Sequence, residues 1–488
     1  MLRSTRTRLV AVLATIGLMG FGPTPEADVT KTDNVTQVAH FPYIGGGEVD
    51  FDGERYLFAG QANLDANLQR KRTDDKNAVG GIHIVDTWTM KEVGFLDCPG
   101  TDNYVRYLDP AVFSDDPGEG EYIVVAFHGN RCTRDALKDD PNTRPGYGAS
   151  NGIMIVDVRN KQQPRIVGTV GADSAHTVMP HPTEPYVYVL PGGLANGTNV
   201  PNRSVSPTAI IDVDDPTNPT YVTEFTHNAQ GCHDLGFTAD GQYAYCAGFG
   251  EVQVWDVSDV RNPRVTGTIV NPAIQFAHNA VVSPSGKYLA VNDEAFGFHT
   301  CTGESADLYG SLWIYDISVP EDPVLAGRIS PPGHPDDQTF GTLYDAGPVN
   351  GWADSWCAAH NYNWVPGNDD VIVASWFAGG VTAHDISDLE SPELIAHYMP
   401  HDGVAWSGHY YGGYLVSNDM ARGLEILDVP EVRAADAARS TAPPKSKRPG
   451  PRVDRSAELI PAVLPPRPVT QRDPQDSAFC VIPARPAA

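Results

Sequence analysis

Seven short apolar runs in this chain end in aspartate, and their spacing constrains the fold more than any other feature. They read GIHIVD (ending at Asp86), GIMIVD (Asp157), TAIID (Asp212), VQVWD (Asp256), LWIYD (Asp316), VTAHD (Asp385) and LEILD (Asp428). Successive aspartates are separated by as few as 43 residues, from Asp385 to Asp428, and by as many as 71, from Asp86 to Asp157. A basic unit of that shorter length, lengthened by insertions, matches the roughly 40–50-residue unit of a β-propeller blade.

The segments between the aspartates supply the other strands. A proline-marked turn and a further strand follow most of them, as in QQPRIVGTV, TNPTYVTEF, RNPRVTGTI, EDPVLAGRI and ESPELIAHY. Two strands joined by turns such as TADG or SPSG come next, as in AHNAVVSPSGKYLAVNDE. Each unit therefore predicts an inner strand, a second, a third ending in aspartate, and an outer one. The unit ending at Asp428 lacks an outer strand, and VTQVAHF, residues 35–41, has the right character to supply it. Closing the ring this way hides an edge that an open sheet would expose. The expected fold is all-β: a seven-bladed propeller of four-stranded antiparallel blades, closed by an N-terminal strand. The abundance of glycine and proline, 47 and 41 residues, fits a strand-and-turn chain.

These aspartate-ended strands resemble the family named for its LVIVD repeats, exported bacterial proteins expected to form propellers. The resemblance covers residues 35–430 and implies architecture. It implies no activity, because one fold hosts many functions.

The flanks read differently. Arg3, Arg6 and Arg8 precede an apolar run from Leu9 to Phe21. That is the pattern of a secretory signal, expected to cover residues 1–27. The run is shorter than the roughly 20 residues of a membrane span, and no later segment qualifies. The propeller is expected over 28–432, and a Pro/Ala/Arg-rich disordered tail over 433–488. Export agrees with seven cysteines. The expected disulfides are Cys98–Cys132, Cys232–Cys246 and Cys301–Cys357, leaving Cys480. A net charge of −27 repels nucleic acid and anionic lipid. The expected partners are a small-molecule substrate, or an extracellular protein or glycan. Residues 295–310 and 329–358 are long insertions, which in compact folds are functional or disordered.

Aligned on their turns, the inner strands carry a recurring histidine. It is His176 in AHTVMPHP, His233 in CHDLGFTADG, His278 in AHNAVVSPSG, His360 in AHNYNWVPGN and His409 in GHYYGGYLVSND. Blade two offers Asp109 at the aligned position, and blade one only Gly45. The first residue of an inner strand stands at the mouth of the central channel, so equivalent residues form a ring. Imidazole ligates zinc, copper and iron, and an added carboxylate suits iron or zinc. The expected metal ligands are therefore His176, His233, His278, His360, His409 and Asp109, and the ion copper, iron or zinc. A recurring histidine also has a plainer reading, that of bonding a neighbouring backbone carbonyl in every repeat.

Second strands return to the same mouth. Asp293, Glu294, Asp419 and His128 lie at their ends as candidate acid–base groups or as partners that orient the imidazoles. The strand-ending aspartates read as turn formers. No phosphate loop, G-x-S-x-G elbow or H-E-x-x-H occurs. Two functions fit: a secreted metal-dependent oxidoreductase acting on a small molecule, or a non-catalytic extracellular binding or scaffold propeller.

Overall fold

Alternating apolar positions punctuated by turn residues fold into seven antiparallel sheets. The computed structural model describes residues 29–61, 80–98, 101–113, 121–128, 151–172, 175–191, 207–226, 231–248, 250–295, 309–332 and 357–439. From inner to outer strand, blade one comprises Gly46–Phe51, Tyr56–Gln61, Gly81–Asp86 and Lys91–Asp97. Blade two comprises Thr101–Leu108, Tyr122–His128, Asn151–Asp157 and Arg165–Gly171, and blade three Thr177–Pro180, Tyr186–Leu190, Thr208–Asp212 and Thr220–Phe225. Blade four comprises Asp234–Phe237, Tyr243–Ala247, Val252–Asp256 and Arg264–Ile269. Blade five has Ala277–Val282, Tyr288–Asp293, Leu312–Asp316 and Val324–Ile329. Blade six has Tyr362–Trp364, Val371–Ser375, Val381–Asp385 and Glu393–Pro400, and blade seven Ala405–Tyr411, Tyr414–Asp419 and Gly423–Asp428.

The ring closes as the sequence predicts. Thr36–Phe41 is the outer strand of blade seven, with Thr36 opposite Asp428 and Phe41 opposite Leu424. A further strand, Val29–Lys31, adds itself to the outer strand of blade six, with Val29 opposite Pro400. The chain's first described residues therefore tie two neighbouring blades together, and blade six has five strands.

Third strands are apolar on both faces because both pack between blades. Ile314 of blade five, for example, shares a cluster with Tyr362 and Ile372 of blade six. Their terminal aspartates make turns: Asp157, Asp212, Asp256, Asp316 and Asp385 each accept the backbone N–H two residues on, at 2.8–3.1 Å. Outer strands carry a glycine where the next blade's turn comes close. A Cβ at Gly168 would lie 2.3 Å from Pro216 O, and one at Gly267 3.0 Å from Glu321 O. The helix Pro430–Arg439 follows blade seven. It seats the buried Val432 in the cluster shared by blades six and seven, and Asp436 accepts the Tyr410 hydroxyl at 3.0 Å.

Cys232 and Cys246 are joined, as expected, across the first two strands of blade four. Cys98 and Cys357 each take part in a separate disulfide as well. Cys132, Cys301, Cys480, residues 1–27 and 440–488, and most of both insertions lie outside the described residues. Among the described residues no helix is long and apolar enough to cross a membrane.

Candidate metal centre

Strand register decides which inner-strand residues are equivalent. Thr177 pairs with Leu190, Asp234 with Ala247, and Ala277 with Asp293. Counted back from each third-strand aspartate, these ladders put His176, His233, His278 and His360 at one position in blades three to six. Their backbones agree: the N–H groups of His176, His233 and His360 donate to the second strand at Leu190 O, Ala247 O and Ser375 O, at 2.6–2.9 Å.

The four imidazoles form a continuous arc. Ring centroids are 4.5 Å apart for His176 and His233, 4.1 Å for His233 and His278, and 4.0 Å for His278 and His360. All four are buried. Tyr104 of blade two extends one end, 5.0 Å from His176, and Trp406 of blade seven the other, 4.2 Å from His360.

Two of the expected ligands stand elsewhere. Ala405 pairs with Asp419 just as Ala277 pairs with Asp293, so Trp406, and not His409, matches His278. His409 lies three residues further along its strand, because the tight turn at Gly412 and Gly413 leaves a longer inner strand than the aligned turns suggest. There it bonds Glu48 of blade one, Nε2 to Oε1 at 2.6 Å. Asp109 is exposed at the far end of its inner strand. It caps the short helix Pro110–Phe113, its Oδ1 accepting Ala111 N–H at 2.9 Å. The helix and the residues after it lengthen the connection to Tyr122, so alignment on the turn carries Asp109 to the wrong end of the inner strand.

Glu294 meets the arc from the end of blade five's second strand. Among the described residues His278, Glu294 and His360 form a fully buried group that offers three ligand atoms, all within 4.8 Å of one another. His278 Nε2 is 3.9 Å from Glu294 Oε2. The other ring nitrogens are committed. His360 Nδ1 donates to Trp406 O at 2.6 Å, and His278 Nδ1 to Asn279 Oδ1. A carbonyl oxygen only accepts, so both rings carry their proton on Nδ1 and their lone pair on Nε2. His233 Nδ1 likewise donates to His278 O at 3.1 Å, and its Nε2 faces His176 Nε2 at 2.9 Å. One proton satisfies that last contact, so His176 and His233 answer each other while His278 and His360 turn to Glu294.

Electrostatics suit a cation. Burial, reinforced by the neighbouring imidazoles, holds His233 and His360 well below the usual histidine range, and burial pushes His278 down to about 3. All three rings are therefore neutral. Burial, with Asp293 next to it, raises Glu294 well above the carboxylate range. A cation beside it reverses that preference.

Asp293 and Asp419 are occupied differently. Asp293 Oδ1 accepts the N–H groups of Gln275 and Phe276 at 3.0 Å and of Ala295 at 3.2 Å, and Oδ2 accepts Gly310 N–H at 2.9 Å. Asp419 accepts Ala421 and Arg422 N–H at 2.7 and 2.9 Å. Both clasp the loops that frame the mouth. His128 ends the second strand of blade two. Two of the three described non-glycine residues with positive φ border the site: Ala295 (46°), after Glu294, and Phe377 (44°), whose ring lies 4.7 Å from His360. Such strain gathers at functional sites.

Sequence alignment on turns missed Trp406, Tyr104 and Glu48. Only the strand ladders, with their bulges, reveal them.

No family model matches the chain, and no curated protein does. Among solved structures, the β-propeller domain of Myceliophteria thermophila Cps50 (Swd1) is similar at 11% identity and a TM-score of 0.49, over 80% of this chain and 98% of that domain. A likeness at that level says nothing about chemistry.

Proposed function

We propose that this protein is an exported, metal-binding propeller of the LVIVD-repeat type, whose ion is held by His278 and His360 through Nε2 and by the Glu294 carboxylate. His233 and His176 stand next in the arc. The observation that carries this reading is the convergence of two neutral imidazoles and one carboxyl from two blades, all buried and within 4.8 Å. Burial disfavours the ionised form of Glu294, and a cation between it and the two imidazoles would offset that cost.

Two imidazoles with one carboxylate are the donors of non-haem iron(II) sites, and they also suit zinc. Bound iron or copper supplies redox chemistry to a small molecule, and bound zinc supplies an activated water. The protein's own contribution is clearer. It keeps the imidazoles neutral, fixes their tautomers through Nδ1, and excludes bulk water with Phe276, Phe377 and Trp406. We favour iron and a metal-dependent oxidoreductase.

The test is elemental analysis of protein purified without chelator, beside the His278→Gln/His360→Gln double variant. About one equivalent of iron, copper or zinc in the parent, lost in the variant, supports the reading. Metal-free parent that takes up none of the three on reconstitution leaves a non-catalytic binding propeller.

A further inference from the structure

Two imidazoles of the arc follow one rule, and His278 departs from it. His233 and His360 each give Nδ1–H to the backbone carbonyl at the equivalent position of the next blade, His278 O and Trp406 O. By that rule His278 would use His360 O. The Asn292 amide already donates there at 3.1 Å, and to Ala359 O at 2.7 Å. His278 turns instead to the side-chain Oδ1 of Asn279.

Asn279 is held through its side chain and its backbone. Its Nδ2 donates to the Asp234 carboxylate of blade four, and its backbone N–H donates to Asn292 Oδ1 at 2.6 Å. Asp234, Asn279, Asn292 and His278 are all buried. A carboxylate only accepts, so Asp234 captures the donor end of the amide and leaves the acceptor end for His278.

We propose that Asp234 is a positioning residue for the metal centre, acting through Asn279 to keep His278 in the Nδ1–H tautomer with its Nε2 lone pair turned to Glu294. The proposal rests on the metal reading above and deepens it. It assigns His278 a dedicated orienting device, where His233 and His360 lean on backbone. Without the carboxylate the amide has no preferred polarity. Its reversed orientation sets Nδ2 against His278 Nδ1, which then must accept, and the ring proton moves to Nε2, the atom a metal requires. Outer partners of this kind are worth about 10–100-fold in metal affinity.

The experiment uses the full chain with 15N-labelled histidine. Two-bond 1H–15N spectra of the metal-free protein report each ring's tautomer, with His278 assigned by its loss in His278→Gln. Zinc affinity is measured by chelator competition on the same samples. The parent is expected to show His278 as Nδ1–H. Asp234→Asn is expected to mix its tautomers and weaken zinc about 10–100-fold. The exchanged pair Asp234→Asn/Asn279→Asp restores an acceptor beside His278 and is expected to recover both readouts. It keeps charge and shape, so it decides the matter even where the single variant does not fold. A parent with His278 as Nε2–H, an Asp234→Asn variant with unchanged spectrum and affinity, or an exchanged pair lacking the Nδ1–H tautomer overturns the proposal. If the parent binds no zinc, the metal reading loses its support, and the metal-free spectra still decide the relay.

Discussion

Replacing Glu294 with glutamine asks whether this carboxyl was placed for a cation. Glu294 is fully buried beside His278, and its surroundings hold it well above the usual 4.5. In metal-free protein, the folded chain holds the Glu294 proton to a higher pH than the unfolded chain does. Stability therefore falls as pH rises past the unfolded range near 4.5, and keeps falling until the pH passes the folded value. The slope is up to about 1.4 kcal/mol per pH unit for one proton. Glutamine has nearly the same shape and does not titrate. With chelator present, Glu294→Gln should lack this slope and be the more stable of the two above pH 4.5. Adding metal reverses the order, since an ion at 100 times its dissociation constant stabilises the parent by about 2.7 kcal/mol. Urea denaturation from pH 4.5 to 8, with chelator and then with iron(II) or zinc, measures both effects. Parallel pH profiles for parent and variant would refute the buried proton, and equal stabilisation of both by metal would refute Glu294 as a ligand.

The remaining predictions concern the ring, the acid limit and the excluded ligand. Phe41 packs in a cluster with Ile44, Leu57, Val416 and Ile426 at the closing strand, so Phe41→Ala should cost about 3 kcal/mol in urea unfolding. A loss below about 1 kcal/mol would mean that this strand does not secure the ring. Burial holds His384 down to about 3 and His397 to about 4, against 6.5 in the unfolded chain. Both are neutral in the fold, so stability is full above pH 6.5 and is lost as pH falls towards 4. Each contributes up to about 1.4 kcal/mol per pH unit, and a His384→Gln/His397→Gln variant that still folds should flatten this acid limb. Asp109→Asn should leave metal content and metal affinity unchanged within about twofold, because Asp109 caps a helix at the far end of its strand. A marked loss in a well-folded variant would place Asp109 back among the ligands.

Much of the fold could be read from the chain, because a repeat states its pattern seven times. The third strands, their terminal aspartates and the closing strand follow directly from apolar runs bounded by turns. Val29–Lys31 could not, since three residues carry no alternation and their partner strand lies some 370 positions away, with Val29 opposite Pro400. The site divided in the same way. His176, His233, His278 and His360 were visible because each stands five residues before the start of its turn, at His181, Thr238, Ser283 and Val365. Glu48 lies within a bulge between Gly46 and Val49, and Trp406 within one between Ala405 and Ser407. A bulge adds a residue without changing composition, so alignment on turns slips past it. The roles of Asn279 and Asp234 depend on which way an amide points, and only the hydrogen-bond network settles that.

Anomalous diffraction from crystals of the metal-loaded protein, recorded on both sides of the metal's absorption edge, tests the central claim most directly. The account predicts one strong peak bounded by the His278 and His360 imidazoles and Glu294, about 2.0–2.2 Å from the nearest ring nitrogens. A peak on surface carboxylates alone, or none at this site in a fully loaded crystal, would contradict it.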